Sequence, residues 1–239
     1  MNRPIVITGA TPEEAYGGAL HSLVDSHWDS WNLVVQIQDP GGVDADRKAE
    51  IEGFARRERL LRPHTVATTL FPSALRPICQ SREDLYAKYV ARYLPRYGGG
   101  WGTYFGRMIA YPTTDSVVNQ LEGIIASVVR SKRTHRAAYT LPIQLPGRET
   151  RRARGGPCLN YIAFQLERDD ARVHVNMLAV YRNHDFLRRA YGNYRGLGQL
   201  LVFVAEECEL DVGCLTCVSS HAYIDAKKPA VRSLVEALD

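Results

Sequence analysis

The chain has 239 residues, of which 45% are hydrophobic and 23% are charged, a composition typical of one soluble globular domain with a sizeable core. The net charge of +4 suits an anionic small substrate and is too small to indicate a nucleic acid partner. No apolar run approaches the roughly 20 residues of a membrane helix, and five cysteines do not form a disulfide framework, so we expect a reducing, cytoplasmic setting without membrane association.

The polar N-terminal segment is not expected to be a signal peptide and leads into a predicted helix. Thr11 is a suitable N-cap, Pro12 fits the first helical position and Glu14 completes a capping box. The apolar spacing that follows predicts a helix ending near Ser26. Further along the first half, the pattern predicts a strand at 31–38 and helices at 44–62, 82–94 and 116–130.

The second half is richer in predicted strands. Alternating or continuous apolar runs predict strands at 137–141, 161–168, 173–181 and 214–223, with a hairpin turn around Asp169 and Asp170. A long apolar helix is predicted at 193–208, and a short helix closes the chain. Because no linker or repeat interrupts the pattern, we expect one α+β domain covering residues 1–239.

Short motifs in the second half point to a chemistry. They share an order and a spacing, and they are THRA at 134–137, PCL at 157–159, YRNHD at 181–185, GN at 192–193 and SHAY at 220–223. With YFGR at 104–107 and NQL at 119–121, they resemble the thymidylate synthase family, within the superfamily that also holds pyrimidine nucleotide hydroxymethylases. The resemblance is to the short, archaeal-type branch and covers roughly residues 100–225. It implies a mixed or antiparallel sheet flanked by helices, and a homodimer joined through sheet faces.

Cys158 is the candidate nucleophile. C5 of a pyrimidine is a poor nucleophile, and attack of a thiolate on C6 converts the ring into an enolate-like species that can attack an electrophilic carbon. The thiolate requires a lowered pKa, and Arg182 is expected to provide the nearby positive charge while also binding the nucleotide phosphate. The resemblance implies that 5,10-methylenetetrahydrofolate donates the one-carbon unit to a pyrimidine nucleoside monophosphate.

The resemblance also assigns the remaining site residues. Arg182 and Asn183 are expected to bind the phosphate, together with Arg136 from across a dimer interface. Asn193 is expected to recognise the base, His221 and Tyr223 to bind the sugar, and Asp185 to bind the folate. An asparagine amide matches O4 and N3–H of uracil, which favours dUMP. Because an amide can flip, a CMP or dCMP 5-hydroxymethylase is the alternative, and a non-catalytic nucleotide-binding relative is a further one.

Three features depart from the family pattern. Asn183 stands where a serine phosphate ligand is usual, and the chain ends soon after Tyr223, so the C-terminal segment that closes over folate in longer relatives is expected to be missing or replaced. The glutamate that organises proton transfer at the pyrimidine O4 has only two suggested positions, Glu58 and Glu83.

Some of these residues also fit two other interpretations. Cys208, Cys214 and Cys217 with His221 would make a zinc site, but residues three apart on a strand point to opposite faces, so no metal is expected. Asn193 could instead cap the start of the long helix. His184 is not expected to act in catalysis.

Overall fold

The computed structural model describes residues 4–97, 100–131, 135, 137–150, 155–169 and 172–239. Its helices are α1 Pro12–Asp25, α2 Ala45–Arg57, α3 Pro63–Ala67, α4 Arg82–Lys88, α5 Tyr104–Ile109, α6 Gln120–Ser131, α7 Tyr191–Cys208 and α8 Lys228–Leu238. Its strands are β1 Ile5–Gly9, β2 Asp29–Ile37, β3 Tyr111–Pro112, β4 Val117–Val118, β5 Tyr139–Pro142, β6 Leu159–Asp169, β7 Arg172–Tyr181, β8 His184–Asp185 and β9 Asp211–Tyr223.

The main sheet is mixed, in the order β1-β2-β9-β7-β6-β5, with the short β8 also paired to β9. The pairs β1–β2 and β7–β9 are parallel, while β2–β9, β6–β7 and β5–β6 are antiparallel. Each parallel pair is joined by a crossover helix, α1 for the first and α7 for the second. Helices and a mixed sheet therefore form the α+β arrangement expected from the sequence.

The two crossover helices pack together over one face of the sheet. The ring of Tyr16 in α1 stacks on Phe186 with centroids 5.5 Å apart and contacts Tyr191 at 5.6 Å. The Tyr191 hydroxyl donates a 2.6 Å hydrogen bond to the fully buried Glu13. A buried carboxylate is tolerated because it is hydrogen-bonded, and this bond fixes α7 against α1.

Glycines in α7 allow α3 to approach closely. A Cβ atom on Gly192 would lie 2.6 Å from Cβ of Val66, and one on Gly196 would lie 2.7 Å from the carbonyl oxygen of Ala67. Any larger residue at either position would push α3 away. The close approach of α3 to α7 therefore accounts for the glycine of the Gly192-Asn193 motif.

Several predicted boundaries differ from those in the structure. The predicted helix at 116–130 begins only at Gln120, because residues 117–118 pair with β3 and the Asn119 side chain caps the helix through the Glu122 amide at 2.9 Å. The predicted helix at 44–62 ends at Arg57, just before Arg59 adopts a left-handed φ of 53°. The strand β1 was not predicted, since its five residues follow directly on the polar N-terminus.

Other predictions are confirmed. Thr11 caps α1 by accepting a hydrogen bond from the Glu14 amide, and Glu14 in turn accepts from the amide of Ala10. The hairpin between β6 and β7 closes with Asp169 opposite Arg172, and residues 170–171 lie outside the described ones. Within the described ranges, no helix has the length and apolarity needed to cross a membrane.

Candidate functional site

The sheet topology brings three distant parts of the sequence to one edge. Since β6 runs antiparallel to β7, its beginning lies beside the end of β7, and the amide of Arg182 donates a 2.9 Å hydrogen bond to the carbonyl oxygen of Cys158. Since β9 runs parallel to β7, its last residue, Tyr223, reaches the same edge. Cys158, the residues after β7 and the end of β9 therefore meet without being close in sequence.

A cavity of about 440 Å³ opens at this edge, within the size range of about 300–1,000 Å³ typical of small-molecule sites. Five of the predicted site residues line it, namely Cys158, Asn183, Asp185, Asn193 and Tyr223. The rest of the wall comes from Val66 in α3, Thr69, Tyr97, residues 101–104, Gly156, His184 and Arg189. The predicted nucleophile and base-binding, folate-binding and sugar-binding residues thus share one cavity.

Cys158 is half-buried, and both burial and nearby charges shift the pKa of its thiol. Burial raises the pKa of the thiol, Arg182 and Arg189 lower it, and Asp185 raises it. The net pKa of the thiol lies above its ordinary value, although Arg182 lowers it as expected from the sequence. The physical reason is that desolvation of the thiolate outweighs the attraction of the two guanidinium groups.

The predicted phosphate ligands are placed differently from one another. Asn183 lines the cavity, whereas Arg182 lies beside it, with Nε donating a 3.2 Å hydrogen bond to the carbonyl oxygen of Pro157. Arg136 lies outside the described residues. Arg189, which the sequence analysis did not single out, contributes a guanidinium to the cavity wall.

The position of Arg189 had no distinguishing signal in the sequence, because Arg188 precedes it directly. A single wide helical turn at Phe186–Ala190 turns the two side chains apart. Arg188 pairs with the carboxylates of Asp185 at 3.2 Å and Asp225 at 3.7 Å, while Arg189 faces the cavity.

Of the two predicted sugar-binding residues, one lines the cavity and the other contacts residues of its wall. Tyr223 lines the cavity, and the ring of His221 stacks on it with centroids 5.6 Å apart. His221 lies behind Asn183, whose side-chain oxygen accepts a 2.9 Å hydrogen bond from Nδ1 of His221. His221 therefore positions Asn183 in this structure.

Asn193 is buried inside α7, so its alternative interpretation as a helix cap is wrong: helical winding already begins at Phe186, where Asp185 supplies the cap. Its side-chain nitrogen lies 2.9 Å from Nε2 of His184. His184 also lines the cavity, and the expectation that it does not act in catalysis stays a prediction.

Tyr104, part of the YFGR motif, lies in the cavity wall next to the nucleophile. Burial raises the pKa of its phenol to about 12. It is therefore a neutral hydroxyl at physiological pH, able both to donate and to accept a hydrogen bond.

Neither glutamate suggested for the proton-transfer role lines the cavity. Glu58 follows the end of α2, and Glu83 is an exposed residue in the first turn of α4. Among the described residues that line the cavity, Asp185 is the only one with a carboxylate side chain. In the described part of the chain, no three His, Cys, Asp or Glu side chains are grouped so that they could hold a metal ion.

No family model matches the chain. It is similar to three archaeal proteins whose names give thymidylate synthase as a provisional assignment. In the protein from Methanococcoides burtonii, 33% of 110 aligned residues are identical, covering 46% of this chain and 48% of that protein.

The other two relatives give similar values. The protein from Methanocaldococcus jannaschii is 28% identical over 126 residues, which are 51% of this chain and 55% of the relative. The protein from Methanosarcina mazei is 30% identical over 123 residues, with 51% and 54% covered. The chain thus matches about half the length of the curated relatives, all three of which carry a thymidylate synthase name.

Proposed function

We propose that this protein transfers a one-carbon unit from 5,10-methylenetetrahydrofolate to C5 of a pyrimidine nucleoside monophosphate, in the manner of a thymidylate synthase acting on dUMP. The observation that carries the proposal is the shared cavity of Cys158, Asn193, Asn183 and Tyr223. A thiol, a buried amide and two polar side chains are the groups that a covalently bound nucleotide requires. The names of the three archaeal relatives support the same reaction class.

In the proposed mechanism, Cys158 acts as the nucleophile. Its thiolate forms a bond to C6, and the electron pair of the C5–C6 double bond moves to C5 with the charge delocalised onto the group at C4. Arg182 and Arg189 stabilise the thiolate because both lower the pKa of Cys158. After C5 has acquired the one-carbon unit and lost its proton, the bond between that carbon and the folate nitrogen must break and hydride or water must add to the carbon; elimination of Cys158 then restores the C5–C6 double bond and releases the enzyme.

The cavity residues fit the folate as well as the nucleotide. Asp185 presents a carboxylate that can accept hydrogen bonds from the N–H groups of a pterin ring, and Trp101 adds an aromatic wall. When bound, the folate supplies the carbon and, for a methyl product, the hydride. Asn183 and Arg182 are proposed to bind the phosphate, with Arg136 of a second copy completing the site.

The proposed second copy docks on the sheet face opposite the helices. Val6, Val34, Val218 and Val180 form a row across β1, β2, β9 and β7, each being the register partner of the next. All four are at least partly exposed, whereas their strand neighbours on the helix side, such as Leu33, are buried. An apolar row of this kind favours a sheet-to-sheet contact.

The experiment that tests the reaction is tritium release. dUMP, UMP, dCMP and CMP labelled at C5 are each incubated with the protein and methylenetetrahydrofolate, with Cys158→Ala as the control. Release that depends on Cys158 from at least one nucleotide supports C5 substitution and names the base and sugar. Absence of release from all four contradicts the proposal.

The competing function is a nucleotide-binding protein without turnover. Mass spectrometry of the intact protein after incubation with 5-fluoro-dUMP and the folate distinguishes the two. A Cys158-dependent adduct supports the enzyme, whereas binding of the nucleotide without an adduct favours the binding protein.

A further inference from the structure

A buried chain of hydrogen bonds connects the sheet to the cavity through His184. Nε2 of His184 lies 2.9 Å from the side-chain nitrogen of Asn193, and Nδ1 lies 2.9 Å from the hydroxyl of Ser219 in β9. The relative exposures of His184, Asn193 and Ser219 are 1%, 3% and 1%. Water therefore does not compete for these bonds, and the direction of each one is set by its neighbour.

His184 is a neutral imidazole in this chain. Burial lowers its pKa to about 3, and aromatic rings surround it, with Tyr181 stacked at 4.2 Å and Phe186 and Tyr194 edge-on at 5.9 and 6.0 Å. A neutral imidazole carries one N–H and one lone pair. One nitrogen of His184 therefore donates while the other accepts.

Every member of the chain can form its bonds in either direction. With the side-chain nitrogen of Asn193 toward Nε2, the amide donates to Nε2 and the Nδ1–H group donates to Ser219. In the reverse direction, Ser219 donates to Nδ1 and the Nε2–H group donates to the amide oxygen of a flipped Asn193. Ser219 also hydrogen-bonds the thiol of Cys217, which burial keeps protonated and which can likewise donate or accept.

Reversal of the chain exchanges a donor and an acceptor at the cavity. The edge of uracil presents an acceptor at O4 and a donor at N3, whereas the edge of cytosine presents a donor at N4 and an acceptor at N3. A flip of the Asn193 amide makes the same exchange on the protein side, and the His184 tautomer must change with it. The difference between the two bases is thus matched by the two states of one chain.

We propose that His184 is a positioning residue through which this site accepts both 4-oxo and 4-amino pyrimidine nucleotides, its tautomer following the base. The inference rests on the proposed function, because it requires a pyrimidine ring against Asn193. A fixed partner such as a lysine or a carboxylate next to Asn193 would impose one amide orientation; a neutral histidine backed by a hydroxyl imposes none.

The tautomer can be measured directly. The Cys158→Ala variant, labelled with ¹⁵N-histidine, is saturated with dUMP or with dCMP, and the imidazole nitrogen shifts of His184 are recorded by NMR. We expect both nucleotides to bind, with dissociation constants within about a hundredfold, and the proton to lie on Nδ1 in one complex and on Nε2 in the other. UMP and CMP are tested in the same way, so that a requirement for ribose is not mistaken for failure of the base.

The outcomes separate this inference from the function on which it rests. Binding of both bases with the same His184 tautomer, or exclusion of one base, overturns the inference and leaves the proposed function standing. Failure of every pyrimidine nucleotide to bind overturns both.

A pair of variants on β9 provides a second test. Ser219→Ala leaves Nδ1 without a partner, and a buried N–H without an acceptor is unfavourable. The variant should therefore weaken, by about tenfold or more, the nucleotide whose wild-type complex carries Nδ1–H, and spare the other. Ser220→Ala, on the opposite side of the same strand, should leave the ratio of the two dissociation constants unchanged. An unchanged ratio in Ser219→Ala would overturn the inference, and the tautomer measurement remains decisive if that variant does not fold.

Discussion

The Arg182 amide donates a 2.9 Å hydrogen bond to the carbonyl oxygen of Cys158, and this bond joins the candidate nucleophile to the end of β7. It places the Arg182 side chain near enough to Cys158 to lower the pKa of the thiol. The same bond holds the beginning of β6 at the sheet edge where the cavity opens. The position of Cys158 thus depends on strand pairing and not on its local sequence.

Replacement of Cys158 by alanine should abolish turnover while leaving nucleotide affinity within about tenfold, about 1.4 kcal/mol. The reason is that the thiol is needed for the bond to C6, whereas Asn193, Asn183 and Tyr223 still line the cavity. Tritium release and isothermal calorimetry measure the two effects. Cys214→Ser is the matched control, because Cys214 is a half-buried thiol on β9 that does not line the cavity, and this variant should keep its activity.

The reactivity of the Cys158 thiol should depend on the positively charged side chains near it. The thiolate is the reactive form, so Arg189→Met should raise the pKa of Cys158 and slow its alkylation by iodoacetamide near neutral pH by about three- to tenfold, equivalent to about half to one pKa unit. Arg172→Met, at the end of β7 opposite the cavity, is the control and should not slow the reaction. Alkylation rates measured between pH 6 and 10 give the midpoint of the titration of the Cys158 thiol. Equal midpoints for wild type and Arg189→Met would show that Arg189 does not act on the thiol.

Loss of the His221 imidazole should weaken nucleotide binding indirectly. Because His221 holds Asn183 through a 2.9 Å hydrogen bond, His221→Ala should cost about 1 kcal/mol, or about fivefold in affinity. His174→Ala, near the opposite end of β7, should have no effect. If His221→Ala combined with Asn183→Ala is weaker than Asn183→Ala alone by the same factor, His221 contacts the nucleotide by itself and does not act through Asn183.

A buried ion pair supports the cavity wall. Arg107 and Glu149 are 2.6 Å apart, their side chains are 9% and 5% exposed, and Arg107 also donates to the carbonyl oxygen of Trp101 in the wall. Glu149→Leu should lower the free energy of unfolding by about 3–5 kcal/mol, because it leaves a buried charge unpaired. The double variant with Arg107→Met should recover much of this loss.

Urea denaturation measures both effects. The matched control is Asp211→Asn, which breaks the exposed pair between Arg172 and Asp211, whose atoms are 3.9 Å apart. Surface pairs contribute little, so this change should cost less than about 1 kcal/mol. A similar cost for Glu149→Leu and Asp211→Asn would contradict the structural role given to the buried pair.

The proposed dimer should depend on the valine row. Val218→Glu places a charge at the centre of that row and should convert a dimer into a monomer in sedimentation velocity. Val129→Glu, on an exposed position of α6, should leave the assembly unchanged. A wild-type protein that sediments as a monomer over the micromolar range would contradict the dimer.

Much of the fold could be predicted from local patterns. The capping sequence at Thr11 fixed the beginning of α1, and the alternating apolar residues of β6, β7 and β9 predicted the central strands. Boundaries failed where tertiary pairing competes with helix formation, as at residues 117–118, which join a strand pair instead of α6. Such competition leaves no mark in the local sequence.

The sequence by itself determined which chemical groups are available to the site, because a thiol, an amide and arginines at ordered spacings are covalent facts of the chain. Only the tertiary structure decided which of them face the cavity. It placed Arg189 there and Arg188 away from it, put His221 behind Asn183, and set His184 against Asn193. The physical reason is that side-chain direction and the balance of burial against charge depend on how distant strands pack together, and neither is encoded in any single segment.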